Sequence, residues 1–341
     1  MPRRLVPGPL LPVAPPRDGS RSTVLTTGAV AACAVLAAAP GTFGLAGRRP
    51  FAWTVPFRVP VGAGLAALAV ASGVAGLRWR RALPCAAVLG AVAARSLATT
   101  FSRGLACGDL PSARPGDVTV LAANVFRAQA DPVALTRLAL ESRADVVSMP
   151  ETSPALAQDV ATRLESATGA RMQVFYAADG GGYGFGTALL ISERLGGYRA
   201  TGQLAGGDSA VVTAEPVDGR GPVLAAAHTA APVPGLVRQW RREVRAVVDW
   251  CAATPGAIVA GDLNATLDHP DLQLRGSCVD AGQQVGTGAR GTWPSTLPAV
   301  LGATIDHALA DGNRWRPVGA RVADLPGSDH RALLSRWRPV A

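Results

Sequence analysis

The chain has 341 residues, enough for one large domain plus further segments, and carries a net charge of +9. That charge is uneven: residues 1–117 hold 13 arginines against three acids, while residues 118–341 hold 20 against 21. A nearly neutral C-terminal two thirds argues against the basic surface of a duplex-binding protein, and the five cysteines show no Cys/His spacing of a zinc site.

Lysine is absent, so every basic residue is Arg. This bias fits a GC-rich genome and weakens any argument from arginine counts alone. Residues 1–22, rich in Pro and Arg, read as a disordered tail. Three apolar segments follow, at about 23–45, 59–77 and 82–101, each near the ~20 residues needed to cross a bilayer as a helix. Arg95 in the third segment must snorkel or face a partner helix. A cleaved signal peptide is the alternative for the first segment. Pro40 directly after AAA disfavours cleavage, and two further apolar segments favour a membrane bundle. Arg3, Arg4, Arg17, Arg21, Arg78, Arg80 and Arg81 outnumber Arg48, Arg49, Arg58 and Arg103 on the other side. The positive-inside rule then puts the tail in the cytoplasm and everything after the third span outside. Residues 104–117 read as a linker.

From residue 118 the pattern changes to short apolar runs separated by amphipathic stretches. VTVLAANV, ADVVSMPE, RMQVFYAA, TALLIS, SAVVTAEPV, PVLAAAHT, AIVAGDLN, TIDHALA, GARVAD and ALLSRWR predict strands. PVALTRLALESR, PALAQDVATRLESATG and GLVRQWRREVRAVVDWC predict helices, the last with Trp240, Val244, Val247 and Cys251 on one face. Residues 118–341 therefore predict a layered α/β domain with sheets inside and helices outside.

AIVAGDLN ends in Asp262 and Asn264. Strand side chains alternate, so positions i and i+2 share a face, and the pair would project together into a cleft. Taken alone it reads as turn chemistry, since Asp and Asn commonly close strands. Five other apolar strands end in or begin after a polar group. Asn124 follows VTVLAA, Glu151 ends DVVSMPE, and His228 ends VLAAAH. Asp306 and His307 sit in TIDHALA, and Asp329 and His330 precede ALLS. Three of the four histidines lie in these islands; the fourth, His269, falls in a predicted loop and receives no role. His307, adjacent to Asp306 on a strand, points to the opposite face and reads as a packing residue. Tyr183 and Phe185, in a glycine-rich run, either line the cleft or belong to a turn.

GDLN, TIDHAL and GSDH, in that order, resemble the endonuclease/exonuclease/phosphatase superfamily, over about residues 118–339. The resemblance implies a four-layer α/β sandwich of the DNase-I-like type with its site at one end of two sheets, and metal-dependent phosphoester cleavage. It implies Mg²⁺, with Mn²⁺ as an alternative, held by Glu151, Asn124 and Asp329. Asp262 would orient or deprotonate water. Asn264, His330 and Asn124 would contact the phosphate, Asp306 would hold His330, and His228 would assist the leaving oxygen. Three positions depart from the family pattern: Pro150 precedes Glu151 where Gln is frequent, Ala123 replaces an aromatic, and GDLN replaces GDFN. They alter the walls of the site and leave its reacting groups.

Three spans ahead of such a domain resemble actinobacterial membrane proteins of the VanJ type, linked to glycopeptide resistance. The sequence thus predicts a multi-pass cell-membrane protein whose extracytoplasmic domain is a Mg²⁺-dependent phosphoesterase. Its substrate would be a lipid-linked phosphate or pyrophosphate of the cell envelope. An extracytoplasmic nuclease is the alternative, with Arg238, Arg241, Arg242 and Arg245 as its one basic patch, and a non-catalytic binding domain is a second alternative. The oligomeric state and any pairing among Cys107, Cys251 and Cys278 stay open.

Overall fold

A computed structural model describes residues 19–178, 185–204, 210–273 and 276–340. Most of the predicted tail, and Tyr183, lie outside the described residues.

The N-terminal region holds α1 (Gly19–Ala38), the short α2 (Phe51–Thr54), α3 (Arg58–Arg78) and α4 (Leu83–Arg103). α1 stops seven residues before the predicted end at 45. Pro40 disfavours helical geometry at Ala39, and a short 3-10 turn follows. The helices pack through small residues, with Ala34, Ala38, Leu65, Leu89 and Ala93 buried between them. The stretches Phe51–Arg78 and Arg80–Arg103 are long and apolar enough to cross a membrane; Ser22–Ala38 is apolar but shorter. Their outward faces are apolar and bare: Leu77 is 87% and Leu25 74% exposed. Arg95 also faces outward, so it does not meet a partner helix.

The strands are β1 (Val118–Ala122), β2 (Val146–Thr152), β3 (Met172–Ala178), β4 (Gly186–Ser192), β5 (Tyr198–Gln203) and β6 (Ala210–Pro216). They continue as β7 (Val223–His228), β8 (Ala257–Asp262), β9 (Cys278–Asp280), β10 (Asp306–Asp311), β11 (Trp315–Ala323) and β12 (Ala332–Pro339). They form two six-stranded sheets, ordered β11-β12-β1-β2-β4-β3 and β5-β6-β7-β8-β10-β9. Helices α5 (Pro132–Ser142) and α6 (Pro154–Thr168) cover the first sheet, and α7 (Val237–Ala253) covers the second.

The two-residue period of each strand builds these layers. Val118, Val120 and Ala122 face Ile258 and Ala260 between the sheets. Leu121 and Ala123 pack outward under α5 and α6, and Val259 and Leu263 pack outward under α7. Ser148 Oγ donates across the sandwich to the Ala260 carbonyl at 2.8 Å. Each sheet contains one parallel pair, β1 with β2 and β7 with β8, so the C-terminal ends of these four strands point to one end of the sandwich.

Every predicted strand is present. β5, β9 and the short helices α2, α8 (Pro270–Gln273) and α9 (Ala281–Val285) are additional. They are too short, or too rich in Gly and charge, to show a hydrophobic period. Cys251 of α7 and Cys278 of β9 form a disulfide, with Cα atoms 6.1 Å apart. The predicted linker is laid along the domain. Gly104 abuts Gly286 and Gly108 abuts Ala320 so closely that a Cβ would clash with backbone, and Arg336 donates to the Pro111 carbonyl.

Candidate active site

Strand register sets the geometry. His228, Asp262 and Asp306 are direct neighbours on β7, β8 and β10. Asn124 and Glu151 stand at the ends of β1 and β2, and His330 immediately precedes β12 on the facing sheet. Gly261 lets β7 and β8 close up beside Asp262: its φ is +148°, and a Cβ there would lie 2.0 Å from the Ala227 carbonyl oxygen.

Asn124 ties the two sheets together. Its Nδ2 donates to Glu151 Oε1 and to Asp262 Oδ2, both at 3.0 Å. Its Oδ1 accepts from the Phe126 amide at 2.9 Å. The oxygen therefore points away from the carboxylates, and the nitrogen clamps two of them. The Arg127 amide donates to Glu151 Oε2 at 3.2 Å.

His330 donates from Nδ1 to Asp306 Oδ2 at 2.8 Å, and its Nε2 lies 3.8 Å from Asp262 Oδ2. Burial alone would lower its pKa. The carboxylates of Asp306 and Asp262 override that and push it up to about 10, so the ring is an imidazolium at neutral pH. Asp262 is pushed up to about 6, first by burial and then by the charge of Asp306. His228 Nε2 lies 3.9 Å from both Glu151 Oε1 and Asp262 Oδ2.

The expected alternation of Asp262 and Asn264 on one strand face does not hold, because β8 ends at Asp262. Asn264 adopts the left-handed conformation, φ +46°, and this turn brings its side chain to the cleft. Its amide N–H donates to Asp262 Oδ1 at 2.8 Å, and its Nδ2 donates to the Thr229 carbonyl at 2.9 Å. Asp329 lines the cleft but stands outside the clusters formed by the other acids. Its Oδ2 accepts from Trp293 Nε1 at 3.1 Å. His307 faces away from the cleft, as expected, with Nδ1 2.7 Å from Asp280 Oδ2.

Two carboxylate-rich groups are compact enough to hold a cation: Glu151, His228 and Asp262, and Asp262, Asp306 and His330. Among the described residues, Asp306 Oδ1 and Asp329 Oδ1 are buried without a hydrogen-bond partner. Crowded carboxylates with unpaired oxygens fit a hard divalent cation.

These residues open onto a cleft of about 1040 Å³. Phe185 lines it, as the sequence suggested, together with Phe126 and Trp293. Ala52, Trp53, Pro56 and Phe57 from the N-terminal region also line it, and sequence reasoning missed them. The aromatic run FAWTVPF between two apolar segments was the available signal. His269, given no role, is fully buried. Its Nδ1 accepts from the Thr266 amide at 2.8 Å, and its Nε2 lies 3.2 Å from the Ala52 carbonyl oxygen. Beside it, Asp268 pairs with both Arg58 and Arg103, the latter through two 2.7 Å hydrogen bonds.

Residues 121–330 match the Endonuclease/Exonuclease/phosphatase family. The chain belongs to that family. Membership of this divalent-metal-dependent family supports assignment to the hydrolases of phosphoesters. Among solved structures, D. rerio TDP2 complexed with a single-strand DNA product is 19% identical, with a TM-score of 0.51 over 65% of this chain and 99% of that one. An endonuclease/exonuclease/phosphatase from Bacteroides vulgatus is 16% identical, with a TM-score of 0.50 over 66% and 99%. A family protein from Bacteroides thetaiotaomicron is 14% identical, with a TM-score of 0.50 over 66% and 98%. At these identities the likeness is one of fold. No curated protein sequence matches the chain significantly.

Proposed function

We propose that the chain is a membrane-anchored, divalent-metal-dependent phosphoesterase acting outside the cytoplasmic membrane on a lipid-linked phosphate or pyrophosphate. The observation that carries this reading is the cluster of Glu151, His228, Asp262, Asp306 and His330 at one end of the sandwich. The bare apolar faces of α3 and α4 support the anchor. The Cys251–Cys278 disulfide supports an oxidising compartment for the domain.

Glu151 would hold the cation, with Asp329 available through its unpaired oxygen; Mg²⁺ suits such oxygen donors and Mn²⁺ is the alternative. When bound, the cation would neutralise charge on the phosphate oxygens and lower the pKa of water. Asp262 Oδ2 faces the cleft and accepts the proton of the attacking water. The imidazolium of His330, held by Asp306, donates from Nε2 to a phosphoryl oxygen as charge builds. Asn264 has one Nδ2 hydrogen committed to Thr229 and a second for the phosphate. His228 would give a proton to the leaving oxygen.

The test is phosphate release by the purified full chain in detergent, with Mg²⁺, on polyprenyl pyrophosphate, phospholipid and DNA in parallel. Release from the lipid pyrophosphate that is lost in Asp262→Ala is the expected result. Activity on DNA alone would sink the lipid reading, and equal activity in Asp262→Ala would sink the site.

A further inference from the structure

The cleft has two chemically different linings. One is the acids and histidines of the phosphate site. The other is apolar: Trp53, Pro56, Phe57, Val233, Leu236 and Trp293, the last joined to the first set through Asp329. The Phe57 and Trp293 rings are 6.1 Å apart at 54°, so they touch across the cleft from two distant parts of the chain.

The first three of these residues do not belong to the sandwich. They lie in the seven-residue segment 51–57, which leads directly into α3 at Arg58. This segment and the helix ends beside it are fastened to the domain at three points. Trp53 Nε1 donates to the Pro232 carbonyl, His269 holds the Ala52 carbonyl, and Asp268 holds Arg58 and Arg103. His269 and Asp268 lie five and six residues beyond Asn264 and Asp262 respectively, so this fastening is made to the loop that leaves the phosphate site. The wall is therefore set in position relative to the reacting groups, and it continues into a helix whose outer face is apolar.

We infer that segment 51–57 is a specificity element that receives the hydrocarbon adjoining the scissile phosphate. This rests on the lipid-phosphate reading above and deepens it. A phosphate seated at Asp262 and His330 leaves its ester chain against the apolar surface of Trp53, Phe57 and Trp293, beside the start of α3. A small soluble phosphate leaves that apolar surface in water and forfeits its contribution to binding. Selectivity for a lipid thus comes from the membrane region completing the pocket, with Trp53 and Phe57 as the determining side chains.

The experiment compares isopentenyl and farnesyl pyrophosphate as substrates of the full chain in detergent, in the native protein and in Trp53→Ala/Phe57→Ala. Ethylphosphonate and octylphosphonate serve as binding probes, followed by tryptophan fluorescence. In the native chain the ratio of kcat/KM, farnesyl over isopentenyl, is expected to exceed tenfold. Octylphosphonate is expected to bind at least tenfold more tightly than ethylphosphonate. The double variant should bring both ratios towards one, and Trp53→Phe/Phe57→Leu should restore them. A double variant that lowers kcat/KM for both substrates by one common factor overturns the inference, as does a native chain indifferent to chain length in both readouts. A native chain that prefers octylphosphonate yet hydrolyses neither pyrophosphate overturns the phosphoesterase reading and upholds the apolar site.

Discussion

Acid should loosen the joint between the N-terminal region and the domain, and His269 makes the effect calculable. Its ring is fully buried, edge-on to Trp240 at 4.8 Å. Because Nδ1 accepts the Thr266 amide, Nε2 carries the proton and donates to Ala52. Protonating Nδ1 would set one donor against another. Burial pushes the pKa down from 6.5 to about 4, hydrogen bonding and nearby acids offsetting it only in part. The unfolded chain, with its histidine near 6.5, binds more protons than the folded one between these values, so stability falls as pH drops from 6.5 towards 4. A shift of ~2.5 units corresponds to about 3.4 kcal/mol, a large share of a typical ~5–15 kcal/mol. The assay is chemical unfolding in detergent at pH 7 and pH 4, for the native chain and His269→Gln. Glutamine keeps a donor for Ala52 and does not titrate. The native chain should lose about 3 kcal/mol more than the variant across this range. Equal losses in the two proteins would refute the reasoning.

Three further outcomes are expected. Asp306→Asn removes the largest influence raising the His330 pKa, so the alkaline limb of the pH–rate profile should move down from near 10, with kcat about 10²–10⁴-fold lower; an unmoved limb would show that the His330 imidazolium is not the group donating to the phosphoryl oxygen. Cys251→Ser opens a loop of 27 residues and should lower stability by about 3.5 kcal/mol in denaturant titrations, a loss that reductant reproduces in the native chain and not in the variant. Asp268→Asn leaves Arg58 and Arg103 facing each other without their carboxylate and should cost about 3–5 kcal/mol in the same titrations; a change below ~1 kcal/mol would mean the joint is solvated.

The candidate groups were legible in the sequence because each one stands at or beside the end or the start of a strand. An apolar run that stops at a carboxylate, as DVVSMPE and AIVAGD do, reports both the buried strand and the polar group at its tip. Asn124, Glu151, His228, Asp262, Asp306 and His330 were found in this way, and the structure gathers all six. What the pattern could not give was the direction of a side chain beyond the strand end. Asn124 turns its nitrogen to the two carboxylates because the Phe126 amide takes its oxygen. His269 read as a loop residue because its burial depends on Ala52, more than 200 positions away. Nothing local records such a contact. The same holds for Trp53 and Phe57, whose neighbours in sequence are apolar helices and whose neighbours in space are the loops that line the cleft.

The backbone shows what gathering these groups costs. Glu151 and Asn264 both sit at positive φ, +56° and +46°, where a side chain other than glycine costs of order 1–3 kcal/mol. Asparagine tolerates that region; glutamate gains nothing from it. Glu151 lies at a break in the β2–β4 register, between the Met149 and Thr152 pairings, where the strand no longer dictates its direction. Straight strands would send Glu151 and Asn264 along the alternation of their sheets. Turned out of that alternation, Glu151 meets the Asn124 amide, and the Asn264 backbone amide meets Asp262. The two strained positions thus belong to residues that touch the carboxylate cluster from opposite sheets. The sandwich supplies the energy that holds them there, through the Val118–Ala122 and Ala257–Asp262 cores directly beneath.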